Sequence, residues 1–112
     1  MTTLNYKIAG TTAVRVLSAD KKVGDEPTMS ICNINASSCR VSVYYFKENY
    51  AVDGSGNAAN TTETYFVIKA FDIPAYRTLT LDKTDMAFNN KGFDMYVELG
   101  AAQDDVDVII SI

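Results

Sequence analysis

Apolar and polar residues alternate along most of the chain with a period of two. The pattern is plainest at residues 93–99, where apolar side chains fall at every second position (Phe93, Met95, Val97 and Leu99). Such alternation is typical of a β-strand that buries one face. Similar segments, separated by polar turns, predict about eight strands, at residues 3–9, 13–18, 29–33, 40–47, 65–72, 77–82, 93–99 and 106–112.

An Ile-Pro pair separates the fifth and sixth of these strands. Pro74 has no backbone N–H for a sheet ladder and fixes its own φ, so the strand that enters from Tyr65 should end there. Leu79 and Leu81 then alternate with threonines, which predicts a second strand with one face in water.

The remaining segments predict turns and loops. Residues 48–64 form the longest stretch of low hydrophobicity and predict a projecting, mobile loop, and residues 83–92 hold at most one helical turn. A chain of 112 residues is long enough for one core. The number of strands and their spacing therefore predict one domain over residues 1–112, an all-β antiparallel β-sandwich of immunoglobulin-like or jelly-roll-like form.

Charge and hydropathy exclude two classes of partner. The net charge is −4 and the ten basic residues are scattered, whereas a nucleic-acid binder presents a basic stripe. The longest apolar runs have four residues (43–46 and 65–68), far below the ~20 that span a bilayer. The first residues lack a basic segment followed by an apolar one, so we expect no secretory signal.

The two cysteines, Cys32 and Cys39, flank a short polar turn. The turn could close a hairpin with the two thiols near each other across its mouth. A disulfide would need Cα atoms within about 7 Å of each other. Synthesis in a reducing compartment favours free thiols over a disulfide.

The chain contains no histidine, which removes Ser-His-Asp and Cys-His catalysis and histidine-ligated zinc. Neither usual phosphate-binding glycine motif is present, so we expect no enzyme and no cofactor. Residues 53–57 resemble the start of an EF-hand loop, but Ala58 and Thr64 occupy its sixth and twelfth positions. Asp104, Asp105 and Asp107 could contribute to a cation site, although a solvated turn is favoured.

Seven tyrosines and five phenylalanines are the remaining candidates for function. The favoured interpretation is that these side chains pack in the core. The alternative is a functional role, in which aromatic side chains anchor a protein interface. A sugar-stacking platform is a third interpretation, weakened by the absence of tryptophan. The candidate interface residues are Tyr44, Tyr45, Phe46, Tyr50, Tyr65, Phe66 and Tyr76.

The order of several segments resembles a small β domain of structural proteins from tailed bacteriophages, especially those that infect cyanobacteria. The matching segments are residues 30–34, 40–45, 65–69, 73–82, 93–97 and 105–110. Where the family has a small residue or glycine after Ile-Pro-Ala, this chain has Tyr76. The resemblance implies an immunoglobulin-like sandwich that repeats many times in a virion.

The resemblance implies a virion structural protein, made in the host cytoplasm and most readily a capsid decoration (cement) protein. It would bind the major capsid protein or other virion proteins, associate with itself, and use Tyr76 as a first contact to a neighbouring subunit. The alternatives are a neck, tail or fibre component, and a carbohydrate-binding module at a fibre tip that uses Tyr44, Tyr50 or the 48–64 loop.

Overall fold

The computed structural model describes residues 3–24, 26–86 and 91–112. These residues form eight β-strands and no helix. The strands are β1 (Thr3–Ala9), β2 (Val14–Leu17), β3 (Thr28–Asn33), β4 (Cys39–Asn49), β5 (Thr61–Ile73), β6 (Thr78–Leu81), β7 (Asp94–Leu99) and β8 (Asp105–Ser111).

The strands form two four-stranded antiparallel sheets, ordered β1-β8-β3-β6 and β2-β7-β4-β5. Only β4 and β5 are both consecutive in the chain and neighbours in a sheet. Every other connection crosses between the sheets, which is the jelly-roll arrangement. The predicted all-β sandwich is confirmed. The immunoglobulin-like form is not observed, because that fold pairs consecutive strands within its sheets.

The core lies between the sheets and consists of the inward residues of the alternating strands. Met29 and Ile31 of β3 and Met95 and Val97 of β7 have no measurable exposure. Burying one such aliphatic side chain stabilises the fold by ~1.5–3 kcal/mol. The predicted strand faces are therefore confirmed for these strands. In β2 the predicted alternation breaks, because a bulge turns Leu17 inward beside its buried neighbour.

The predicted loop at 48–64 is shorter than expected, because strands extend into it from both sides and leave residues 50–60 as the loop. β4 continues to Asn49 and β5 begins at Thr61, while β7 accompanies β4 only as far as the Phe46–Asp94 pair. Beyond that pair the hairpin continues as two strands, and we call residues 47–63 the arm. At its tip the Asp53 carboxylate accepts the N–H groups of Ser55 (2.8 Å) and Asn57 (3.0 Å). These bonds lower the pKa of Asp53.

The Ile-Pro corner ends β5 at Ile73 and takes the chain to β6 in the opposite sheet, so the predicted strand end is confirmed. The corner closes with a hydrogen bond from the Arg77 N–H to the Pro74 carbonyl (3.1 Å). Tyr76 occupies the third position of this turn with φ of 58°. This is the left-handed region, which a type II turn requires at that position and glycine adopts most easily.

Asn33 holds three segments together at this end of the sandwich. Its fully buried side chain donates from Nδ2 to the carbonyls of Ile73 (2.9 Å) and Ser37 (2.9 Å). Its Oδ1 accepts the backbone N–H of Asn35 at 2.9 Å. Buried polar groups are stable only when paired in this way. Asn33 therefore takes an inward position of β3 that alternation would otherwise give to an apolar residue.

Both cysteines are free, as predicted, but the hairpin interpretation is wrong. β3 and β4 belong to different sheets, so the segment between Cys32 and Cys39 is a crossover. The Cys39 thiol is buried and hydrogen-bonded to the Asp104 side chain. Burial, together with the charge of Asp104, raises the pKa of Cys39 to about 11. Asp104 is itself only 5% exposed, so the expectation of a solvated turn is wrong for this residue.

The predicted helical turn after β6 is described only in part. The Met86 N–H donates to the Asp82 carbonyl at 3.0 Å, and the Asp82 carboxylate accepts the Thr84 N–H at 2.9 Å. The last residues of the predicted turn, Ala87 and Phe88, lie outside the described residues. In the described ranges, no helix has the length and apolar character needed to cross a membrane.

Candidate functional site

The outward faces of the two sheets differ in chemistry. On the β1-β8-β3-β6 sheet, the outward positions hold mainly hydroxyl, amide and charged side chains, and Ile109 is the large apolar exception at 49% exposure. These positions include Asn5, Lys7, Ser30, Cys32, Thr78, Thr80 and Asp107. A polar outward face is usual for an antiparallel sheet that has one face in water.

The β2-β7-β4-β5 sheet carries aromatic rings on its outward face. Strand register places Tyr96, Tyr44 and Phe66 side by side on β7, β4 and β5. The Tyr44 ring stacks on Tyr96 with centroids 5.7 Å apart and meets Phe66 at 5.3 Å. The rings of Phe46 and Tyr96 meet edge to face with centroids 6.1 Å apart. We call these four residues the aromatic face.

Charged groups surround the aromatic face. The Tyr44 hydroxyl donates to Glu98 at 3.4 Å, and burial together with this carboxylate raises the pKa of Tyr44. The Lys69 ammonium lies 5.0 Å from the centroid of Phe66. Arg15, opposite Tyr96 on β2, lies 3.9 Å from the Asp94 carboxylate. An aromatic centre with a charged rim is the usual anatomy of a protein interface.

Three of the predicted interface residues, Tyr44, Phe46 and Phe66, meet on the aromatic face. The structure places Tyr45 in the core with 2% exposure, since it points inward between two outward neighbours on β4. Tyr96 was not predicted, because it occupies the polar side of an alternating strand. Its role becomes visible only when β7 is paired with β4, and no local signal carries that information.

Tyr65 lies on the other side of β5 from Phe66, at the root of the arm. Its ring meets Phe93 edge to face at 5.7 Å, and its hydroxyl donates to Glu63 at 3.3 Å. The Lys47 ammonium lies 5.5 Å from the Phe93 centroid. These contacts attach the arm to the sandwich, so Tyr65 has a packing role although it is 46% exposed.

Tyr50 and Tyr76 lie outside the aromatic face. Tyr50 belongs to the arm and is 81% exposed, and Tyr76 lies at the Ile-Pro corner and is 69% exposed. Each presents nearly a whole ring to solvent. They are therefore two further candidate contact points at separate places on the surface.

The carboxylates proposed for a cation site are not brought together. Asp104 is buried against Cys39, whereas Asp107 forms an ion pair with Lys7 at 3.1 Å on an outward sheet face. Within the described ranges, no three metal-ligating side chains form a cluster.

Comparison with known proteins gives no relative: no family model and no curated protein matches this chain.

Proposed function

We propose that the protein is a structural component of a bacteriophage virion, a capsid decoration protein that attaches through its aromatic face. The observation that supports this function is the row of Tyr96, Tyr44 and Phe66 on the outside of one sheet. The phage class comes from the resemblance of the segments between residues 30 and 110. Jelly-roll domains also recur in viral capsids.

The aromatic face is not needed to build the sandwich. Both sheets already bury their inward faces in a common core. The outward face of the β1-β8-β3-β6 sheet is largely polar, which shows that the fold tolerates such a surface. These rings are already partly buried in the sheet, and Phe66, the most exposed of them, is 45% exposed. The aromatic face would therefore be the centre of a contact, and the charged rim would supply the rest of its area.

Repetition on a particle would strengthen a modest contact. A decoration protein occupies many equivalent sites, and many weak contacts act together once copies or modules are linked. The charged rim of Glu98, Lys69 and Arg15 would orient the partner, because rim charges influence specificity and association rate more than affinity.

A pair of matched variants tests the attachment. Phe66 on the aromatic face and Ile109 on the opposite sheet have similar exposure, 45% and 49%. We expect Phe66→Ser to weaken binding to particles that lack the protein by 10-fold or more, as loss of an interface anchor does. Ile109→Ser should bind normally. Co-sedimentation with purified particles measures both.

Two results would refute the proposal. Equal binding of Phe66→Ser and the wild type would mean that the aromatic face is not the attachment surface. Absence of the protein from purified virions, measured by mass spectrometry, would exclude a virion role. Separate analysis of heads and tails distinguishes decoration of the capsid from a neck, tail or fibre position.

A carbohydrate-binding module at a fibre tip is the second candidate, and Tyr50 is the residue that favours it. Its ring is 81% exposed on the arm, where it could stack on a sugar. Binding on a glycan array that is lost in Tyr50→Ala would support this function. An array without signal would count against it.

A further inference from the structure

The four edge strands of the sandwich differ in their protection against pairing. β2 and β6 have four residues each, and β2 is also bulged. β1 carries Lys7, whose side chain is 86% exposed. Short strands, bulges and lysines all discourage edge-to-edge association. These three edges are therefore protected.

β5 is the long edge, with 13 residues, and its two halves differ. From Val67 onward the register against β4 shifts twice, Ala70 has φ of 52°, and Lys69 points to the outward face. From Thr61 to Phe66 the register is continuous. This half contains threonines, two aromatic residues and one charge, Glu63, and has neither proline nor lysine, a composition that favours strand pairing.

We propose that the segment from Thr61 to Phe66, which we call the open edge, pairs antiparallel with the open edge of a second copy. The pairing joins the two β2-β7-β4-β5 sheets into one sheet of eight strands. A second copy is the partner because an identical edge supplies matching length, strand propensity and, in one register, compatible charge.

Charge disfavours one register, and side-chain chemistry favours another. A two-fold axis at Glu63 would place two carboxylates directly opposite each other, which is destabilising. An axis at Thr64 places Glu63 opposite Tyr65 of the second copy instead. The Tyr65 hydroxyl already donates to Glu63 within one chain at 3.3 Å, so the two side chains are chemically compatible. Phe66 then lies opposite Thr62.

Mass measurement tests the pairing. We expect the wild-type mass to rise from 12.3 kDa toward twice that value between ~1 μM and ~1 mM, in analytical ultracentrifugation or light scattering. Thr64→Lys places two like charges at the axis and should remain at 12.3 kDa with an unchanged melting temperature. Thr80→Lys, on the β6 edge, is the matched control and should still dimerise.

Cross-linking tests the register in a Cys32→Ser background. Directly opposed residues have Cα atoms ~4.5–5.5 Å apart, within disulfide range. Thr64→Cys should therefore form a covalent dimer under mild oxidation. Thr62→Cys should not, because the two copies of position 62 would be four residues apart along the strands, ~13 Å.

A wild-type mass of 12.3 kDa at every concentration would overturn the inference, as would equal cross-linking of the two cysteine variants. Undiminished dimerisation of Thr64→Lys would also overturn it. The pairing is separable from attachment to particles. If the protein is monomeric and still binds particles, the pairing is refuted and the proposed function stands. If it dimerises and binds no particles, the proposed function is refuted and the pairing stands.

Discussion

Replacing Tyr76 by glycine should stabilise the protein. Tyr76 has φ of 58° in a turn closed by the hydrogen bond between Arg77 and Pro74. The left-handed conformation costs an L-residue with a Cβ about 1–2 kcal/mol. Glycine removes this cost but adds about 0.5–1 kcal/mol of unfolded-state entropy to be lost on folding. The net expectation for Tyr76→Gly is a gain of about 0.5–1 kcal/mol in the free energy of unfolding.

Thermal denaturation followed by circular dichroism measures this gain, which corresponds to a rise of about 2–5 °C in melting temperature. Tyr76→Ala is the control, because alanine keeps the Cβ and the strain and removes only a ring that is 69% exposed. Its melting temperature should stay close to that of the wild type. A glycine variant that melts at or below the alanine variant would refute the reasoning from strain.

The same pair of variants tests the role of Tyr76 as a contact to a neighbouring subunit. Strained residues persist where function uses them, and stabilising them often lowers activity. We expect Tyr76→Gly to fold more stably and yet decorate particles less well. If this variant decorated particles normally, Tyr76 would not be part of the interface with a neighbouring subunit.

Three further predictions concern the interior. Asn33→Leu leaves the carbonyls of Ile73 and Ser37 without their buried donor and should lower the free energy of unfolding by ~3–5 kcal/mol in urea titrations; a loss below ~1 kcal/mol would contradict this. Stability should fall as pH rises above 9.0, because the Cys39 thiol ionises there when unfolded but near pH 11 when folded; Cys39→Ala should flatten the decline measured by thermal denaturation. A thiol reagent should label Cys32 alone in the folded protein and both cysteines in urea, as counted by mass spectrometry.

The parts of the fold that sequence could predict are those in which one strand carries its own signal. Met95 and Val97 alternate with outward residues because β7 buries one face along its whole length. Pro74 ends β5 because it lacks an N–H, wherever the strand lies in the sandwich. Both inferences depend only on local chemistry.

The parts that sequence missed depend on partners distant in the chain. The strands of the arm have no buried face, so residues from Thr61 to Thr64 show no apolar alternation and their sequence predicts a loop. A short polar turn after β3 fits a crossover as well as a hairpin. Tyr96 joins the aromatic face only through the pairing of β7 with β4. The positive φ of Tyr76 has no signature in residue type, since tyrosine rarely adopts it.

The aromatic face and the open edge lie on the same two strands, and this links attachment to self-association. Opposed residues of antiparallel strands point to the same side of a sheet, so pairing at Thr64 places two aromatic faces on one side. A linked pair of faces binds a repetitive surface more tightly than one face does. Thr64→Lys should therefore weaken attachment to particles, while Thr80→Lys should not. Because Thr64 lies opposite Phe46 of the aromatic face, the second test uses Thr64→Cys, which should attach more tightly as the cross-linked dimer than in the reduced form. If Thr64→Lys became monomeric and still attached as tightly as the wild type, the two surfaces would act independently.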